Sequence, residues 1–348
     1  DPSLMTGFRN RIGSEGCEFI LGLTVQTGLA TKTIAASSLA VVNVDTTVQD
    51  KAVAFPTDAR LLNKARIALV KLTQQVGIKL RQPYTFIGQK AFVQSARYAH
   101  ARQFNRAKAQ TKKLRVILGR IIRDIQRKTE QLQLPVKAQA RLGKLLEIAK
   151  RIHSQQRVRA EGDPPKIYSV HAPEVECIAK GKAHKQYEFG VKVGLVTTSK
   201  ESFVLAAASL PGNPYDGHTL NQCLDQAKRT CGVAASQVFV DKGYKGHSCT
   251  TDACKVYISG AKRGITPALH KRLKRRSAIE PVIGHMKSDS RLARNFLKGT
   301  DGDAVNALLC ACAHNLRKIL NKLRLFCAQM EIGLSDLLAM LRLQQARL

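Results

Sequence analysis

The apolar runs of this chain come in an uneven order, and that order limits the folds open to it. One strand-like run, SSLAVVNVDTT (37–47), stands alone near the start, with Leu39, Ala40, Val41, Val42 and Val44 crowded together. It is too short for a core helix and fits a buried strand. Strand-like runs return only after more than a hundred residues of helical pattern, and then in close order: KIYSVH (166–171), YEFGVKVGLVTT (187–198), SFVLAAASLPG (202–212), QVFVD (237–241) and CKVYISG (254–260). A lone strand cannot satisfy its own backbone hydrogen bonds. Any sheet must therefore join the first run to the later ones across a large helical insertion.

That insertion carries its own period. Leu114, Ile117, Leu118, Ile121, Ile122 and Ile125 recur at three- and four-residue steps, one face of a helix. Leu134-Pro135 ends that pattern and KAQARLGKLLEIAKRI begins another, so a helical hairpin with an apolar seam is expected. Between Arg81 and Ala160 there are 20 Lys/Arg against three acids, Asp124, Glu130 and Glu147. With so little to balance them, these cations point to phosphate more than to a merely solvated face.

At either end the patterns are helical too. Residues 1–34 read as two short helices parted at Gly13, with Ser14 able to cap the second. Asn213-Pro214-Tyr215-Asp216-Gly217 is turn chemistry before a helix, HTLNQCLDQAKRT. Thr266-Pro267 has the cap-then-proline form of a helix start, and Pro281 should kink or restart that helix. AVNALLCACAHNLRKILNKLRLF is apolar along a broad face that suits core or a partner, and Gly333 is expected to separate it from a last helix. The expected division is an N-terminal helical segment (1–34), the first part of a catalytic domain (35–56), a basic helical insertion (57–160), the rest of that domain (161–300) and C-terminal helices (301–348).

The formal net charge is +32, from 57 Lys+Arg against 25 Asp+Glu. Such an excess repels itself in a compact chain and makes most sense opposite a polyanion. Charge alone separates neither DNA from RNA nor an enzyme from a packaging protein. No stretch approaches the ~20 apolar residues of a membrane span, and no signal-peptide pattern opens the sequence. The nine cysteines are an odd number without framework spacing, which fits a reducing cytoplasm. His247, Cys249 and Cys254 lack the second ligand pair that a zinc site would need.

Three acids stand out. Asp45 ends the first strand-like run, where a buried carboxylate is costly unless paired or metal-bound. The alternative is a turn aspartate that stops the strand. Asp241 ends a second short buried run, QVFVD. Glu280 is the single acid of KRLKRRSAIEPVIGHMK (271–287), and at helical spacing Arg276, Glu280 and Lys287 share one face. A helix gathering cations around one carboxylate suits a polyanion held against a metal. The alternative there is a capping box, Ser277-x-x-Glu280, opening a solvated basic helix.

The words around these acids resemble the blocks of bacterial insertion-sequence DDE transposases, particularly insertion sequence family five. The matching blocks, in order, are VNVDTTVQDKAVAFPTDARLL, KGKAHKQYEFGVK, LPGNPYDGHTL, VFVDKGYKGH and RRSAIEPVIGHMK. The Arg276-x₃-Glu280-x₆-Lys287 spacing is similar to the family's signature, although the usual Tyr three residues before the arginine is Leu273 here. The resemblance runs from residue 1 to about 325. It implies an α/β fold, a ribonuclease-H-like mixed sheet with flanking helices, interrupted by a helical insertion after the first strand. The first and fourth strands would then lie side by side.

It further implies that Asp45, Asp241 and Glu280 are catalytic metal ligands for two Mg²⁺ ions about 3.5–4 Å apart, with Mn²⁺ able to substitute. Arg276 and Lys287 would contact DNA phosphate. Hydrolysis at element ends would free 3′-hydroxyls that attack target DNA in line, by a homo-oligomer pairing two ends in the cytoplasm at the nucleoid. Lys242, Tyr244, His247 and His285 lie near the acids as supporting groups. Family members carry further upstream helices, and the chain opens on Asp1, so the resemblance suggests a truncated copy. A metal-dependent nuclease on the same fold and an inactive DNA-binding relic are the alternatives. A ribosomal or chromatin-like protein would have no use for acids at these places.

Overall fold

A computed structural model describes residues 1–130, 132, 134–155, 162–179, 186–249, 254–260 and 265–345, with the backbone alone described for 331–345. The chain divides into two units, Asp1–Ala52 with Gly190–Leu348, and Val53–Phe189.

In the first unit α1 (Pro2–Ala30) is kinked at Gly13, whose φ of 59° and ψ of −162° are non-helical. Glycine reaches that conformation without a Cβ penalty, so the break falls where it was read, with a helix on either side of the kink. A 3-10 turn, Ala36–Ala40, leads into β1 (Val41–Asp50).

The second unit is helical. α2 (Asp58–Gln75) starts at Thr57, whose hydroxyl accepts from the Arg60 N–H. α3 (Thr85–His100), α4 (Phe104–Thr129) and α5 (Val136–Ser154) follow. Leu114, Ile117, Leu118, Ile121, Ile122 and Ile125 are all buried, packed with Leu62, Leu69, Leu142 and Ile152. The hairpin read from the seam is α4 with α5, and α2 and α3 cover its remaining apolar face.

The expected strand at 166–171 is absent, and β2 is Glu176–Ala179 instead. Pro164 and Pro165 just before it have no N–H to start a ladder. Ile167 drops into the helical core and Tyr168 packs on Phe189. An apolar run there serves the helices without being a strand.

Returning to the first unit, β3 (Tyr187–Thr198), β4 (Val204–Leu210), α6 (Asp216–Cys231), β5 (Gln237–Val240) and β6 (Lys255–Ile258) complete the sheet, and β3 begins within the second unit. The strand order is β2-β3-β1-β5-β6, with β4 on β3. β1 runs antiparallel to β3 and parallel to β5, so the sheet is mixed. α7 (Pro267–Arg275), capped by the Thr266 hydroxyl, passes through a 3-10 turn at Arg276–Ala278 into α8 (Ile279–Asp289). Pro281 falls in the first turn of α8, where its missing N–H costs nothing.

The final helix, α9 (Gly299–Gln345), runs straight through Gly333. One glycine costs a helix only about 1 kcal/mol, too little to end it without a competing cap.

Two apolar layers sandwich the sheet. On one face Val42, Val44, Val196, Leu205, Val238 and Val240 meet Leu220, Cys223 and Ala227 of α6. On the other, Val191, Val193 and Leu195 meet Ile279 and Met286 of α8, Val305 and Leu308 of α9, and Cys17 and Leu21 of α1. Gly194 is required by this packing, since a Cβ there would come within 2.3 Å of the Cys223 Sγ.

Candidate active site

β1 is longer than its apolar run. The strand continues to Asp50 against β3, with Asp45 opposite Leu195, so Asp45 sits in mid-strand and not at a strand end. Polar residues Thr46, Thr47 and Gln49 hid this continuation in the sequence. What ends near Asp45 is the pairing with β5, whose last partners are Asn43 and Phe239. Past that point one edge of β1 is released. Continuing the parallel register by two places brings Asp241, just beyond β5, beside Asp45.

Asp241 turns the chain. Its Oδ1 accepts from the Gly243 N–H at 2.9 Å and caps a 3-10 turn, Lys242–Tyr244. A Cβ on Gly243 would lie 3.0 Å from Asp241 Oδ1 and 3.2 Å from Asp216 Oδ2, so a bare backbone lets these carboxylates approach.

Asp45 accepts from the Thr46 N–H at 2.8 Å through Oδ1 and from Arg276 Nη1 at 3.2 Å through Oδ2. Its pKa is pushed up to about 6, first by burial and then by the Asp241 charge. The Thr46 N–H and Arg276 oppose this rise without cancelling it.

Glu280 opens α8 with its side chain 62% exposed and accepts from Arg276 Nη2 at 3.3 Å. One guanidinium thus spans Asp45 and Glu280, and the Arg276–Glu280 face read from the spacing is present. The capping box is not, because the Ser277 hydroxyl donates back to the Lys274 carbonyl. Lys287 lies two turns further along α8.

Asp216 is the residue that sequence reasoning missed. It opens α6, and its Oδ1 accepts from the Thr46 hydroxyl and from Lys192 Nζ, both at 3.0 Å. Lys192 also donates to the Pro214 carbonyl at 2.6 Å, which ties β3 to the turn before α6. The signal was an aspartate inside LPGNPYDGHTL, read only as turn chemistry. The buried Tyr244 hydroxyl has no hydrogen-bond partner among the described residues. Its pKa is raised by burial first, then by Cys223, Asp45, Asp216 and Asp241.

The donor set is hard oxygen, and Asp45 and Asp241 are close enough for one to disfavour the other's charge. A cation such as Mg²⁺ would relieve that repulsion, so the pair fits a divalent ion. Glu280 is held by Arg276 at the rim. Among the described residues no group of three or more His, Cys, Asp or Glu is gathered tightly enough to hold a metal.

Residues 151–316 match the family model described as the transposase DDE domain. That stretch, a little under half of the chain, is similar to a transposase DDE domain. Asp216, Asp241, Arg276, Glu280 and Lys287 fall within the matched stretch, whereas Asp45 precedes it and reaches the site through β1 pairing. With this match, the mixed sheet and its flanking helices are a ribonuclease-H-like fold. The matched family, the DDE transposases, consists of nucleic-acid-processing enzymes that generally use divalent metal ions.

Among curated proteins, the chain is 52% identical over 104 residues to the uncharacterized protein ORF8 in the nfe locus of Rhizobium meliloti. The aligned part is 30% of this chain and 50% of that relative, so the chain spans about half the relative's length. No solved structure matches. Among the described residues, no helix is long and apolar enough to cross a membrane.

Proposed function

We propose that this chain acts as an insertion-sequence transposase, hydrolysing DNA at element ends and joining the freed 3′-hydroxyls to target DNA. The observation that carries this reading is the pairing of Asp45 with Asp241 at the point where β1 and β5 part, with Arg276 beside them. In the first reaction water attacks the scissile phosphorus and the 3′-oxygen leaves, taking up a proton. In the second, that 3′-hydroxyl attacks a target phosphodiester in line and displaces another 3′-oxygen.

Asp45, Asp241 and Glu280 are the proposed ligands of two Mg²⁺ ions, which when bound would lower the pKa of the attacking hydroxyl and stabilise the leaving oxygen. Arg276 keeps Glu280 at the rim in the absence of DNA. It would exchange that carboxylate for a phosphate oxygen on binding, and Lys287 would contact a phosphate further along the strand.

Joining two ends needs more than one copy. Leu316, Leu320, Leu323 and Met330 are exposed at three-, four- and seven-residue steps along α9, a seam that suits a second copy of this helix. The reading places the protein in the cytoplasm, on the nucleoid.

The test is Mg²⁺-dependent cleavage and joining of DNA carrying the flanking element's ends, comparing wild type with Asp241→Asn. Wild type should cut and join. The variant should lose at least a hundredfold in rate while still binding DNA, because it removes a negative charge from the site. Cutting without joining would mean a nuclease, and binding without cutting an inactive relic. A variant that cuts as well as wild type would remove Asp241 from the chemistry.

A further inference from the structure

The basic helical unit holds a second constructed feature. The loop Arg81-Gln82-Pro83-Tyr84 and one face of α4 enclose a concavity of about 430 Å³. It is lined by Arg81, Gln82, Tyr84, Arg120, Arg123 and Arg127. Its one acid, Asp124, is buried and already committed: it accepts from the Arg81 N–H at 2.7 Å and from Lys128 Nζ at 3.1 Å. Its other oxygen lies 4.0 Å from Arg127 Nη2, so one carboxylate stands against the four arginines of this lining and against Lys128.

The loop is held from below. Arg66 is only 3% exposed, yet it donates to neutral groups, Asn63 Oδ1 at 3.0 Å and the Pro83 carbonyl at 3.3 Å. Burying a guanidinium without a carboxylate is expensive, and here it adds positive potential beneath the floor. Gly88 leaves it room, since a Cβ there would come within 2.6 Å of Arg66 Nε. The next residue, Tyr84, takes a left-handed backbone (φ 52°) that bulky residues rarely adopt, and its hydroxyl lies 3.5 Å from Arg120 Nη1. Two buried charges thus fix a four-residue loop in a strained form beside a cationic helix face.

The spacing identifies the ligand. Arg120, Arg123 and Arg127 recur at three and four residues on α4, a rise of about 10 Å over seven residues. Phosphates of one DNA strand rise about 3.4 Å each along the axis while turning around it, which sets neighbours roughly 7 Å apart, so this row spans two to three of them.

We infer that the groove between the 81–84 loop and α4 is a phosphodiester-binding site for one strand of DNA, separate from the residues of the candidate active site. It rests on the proposed DNA substrate. In binding, Arg120, Arg123 and Arg127 track successive phosphates, while Arg81 and Tyr84 close the opposite wall.

The experiment is fluorescence anisotropy of the full chain with a labelled 20-bp duplex over a salt series. The variants are R120Q/R123Q/R127Q and a control triple, R141Q/K144Q/K150Q, which removes three exposed cations from α5 of the same unit. Each lost phosphate contact lowers the slope of log K against log salt by about 0.9. The groove triple should therefore lose roughly 2 to 3 from the slope and about a hundredfold in affinity near 0.1 M salt, and the control less than 1. Equal losses in the two triples would overturn the site in favour of diffuse charge. An unchanged slope in the groove triple would also overturn it. So would inorganic phosphate, at constant ionic strength, competing for the groove without any slope change, since that marks a small-anion pocket.

If the triple melts early, R81Q and R120Q singly should each remove about one unit of slope, and no change in either refutes the site. Wild type that fails to bind DNA at any salt sinks the proposed function as well. Wild type that binds and cuts, beside a groove triple of unchanged slope, sinks this inference alone.

Discussion

Removing the Asp303 carboxylate, on α9, should destabilise the first unit more than any single polar change on β1. Lys51 Nζ lies 2.7 Å from Asp303 Oδ1, and the two side chains are 4% and 6% exposed. At that distance the attraction is about 6 kcal/mol with an effective dielectric near 20, much of it offset by desolvating both ions. The same oxygen accepts from Asn295 Nδ2 at 2.6 Å, and the Asp303 carbonyl accepts from Gln49 Nε2 at 3.1 Å.

Asp303→Ala takes the carboxylate away from a buried ammonium and an acceptor from the Asn295 amide, a loss of about 3–5 kcal/mol. In a unit of this size that lowers Tm by roughly 10 °C. Thermal and urea melts followed by circular dichroism would measure it. Adding Lys51→Met should recover most of the loss, since the buried ammonium that lost its carboxylate leaves with the lysine. A loss below about 1 kcal/mol, or no recovery in the double variant, would refute the argument that the ion pair is held as a buried unit. Asp45 is on β1 six residues before Lys51, which directly follows that strand, so the single variant should also weaken any Mg²⁺-dependent activity.

Three further outcomes are expected. Leu118→Ala, at a fully buried position in the helical unit, should cost about 2–5 kcal/mol of that unit's stability in denaturant titration. Burial lowers the His314 pKa to about 4, below its ordinary 6.5, against a lesser upward pull from the Ser202 carbonyl it bonds at 3.1 Å. The unfolded chain then binds the extra proton between those two values. Stability from this group is full above pH 6.5 and falls as pH drops toward 4, by about 3 kcal/mol, and melts of His314→Gln should show a flatter profile there. If α9 pairs with a second copy as proposed, Leu320→Asp with Leu323→Asp should give monomer in light scattering without lowering Tm, because both side chains are exposed on α9.

Much of the scaffold was readable because its signals are local. The apolar stripe of α4, the Thr266-Pro267 start of α7 and the glycine break at Gly13 each follow from a few neighbouring residues. Sequence also marked Asp45, Asp241, Arg276 and Glu280, through resemblance and through the cost of leaving acids near buried strands. The strand misread at 166–171 and the helix that ignores Gly333 show the limit. A short apolar run or a single glycine is weak evidence, and packing decides it.

What the sequence determined by itself was periodicity, charge and the identity of the acids. Only the tertiary structure decided their company. Asp45 meets Asp241 through parallel pairing between residues almost two hundred positions apart. Asp216 joins them through Thr46 and Lys192, and Lys51 lies buried because Asp303 comes to meet it. A carboxylate's charge state and use depend on the groups within a few ångströms. Those groups are set by strand register and helix docking, which no local pattern of residues contains.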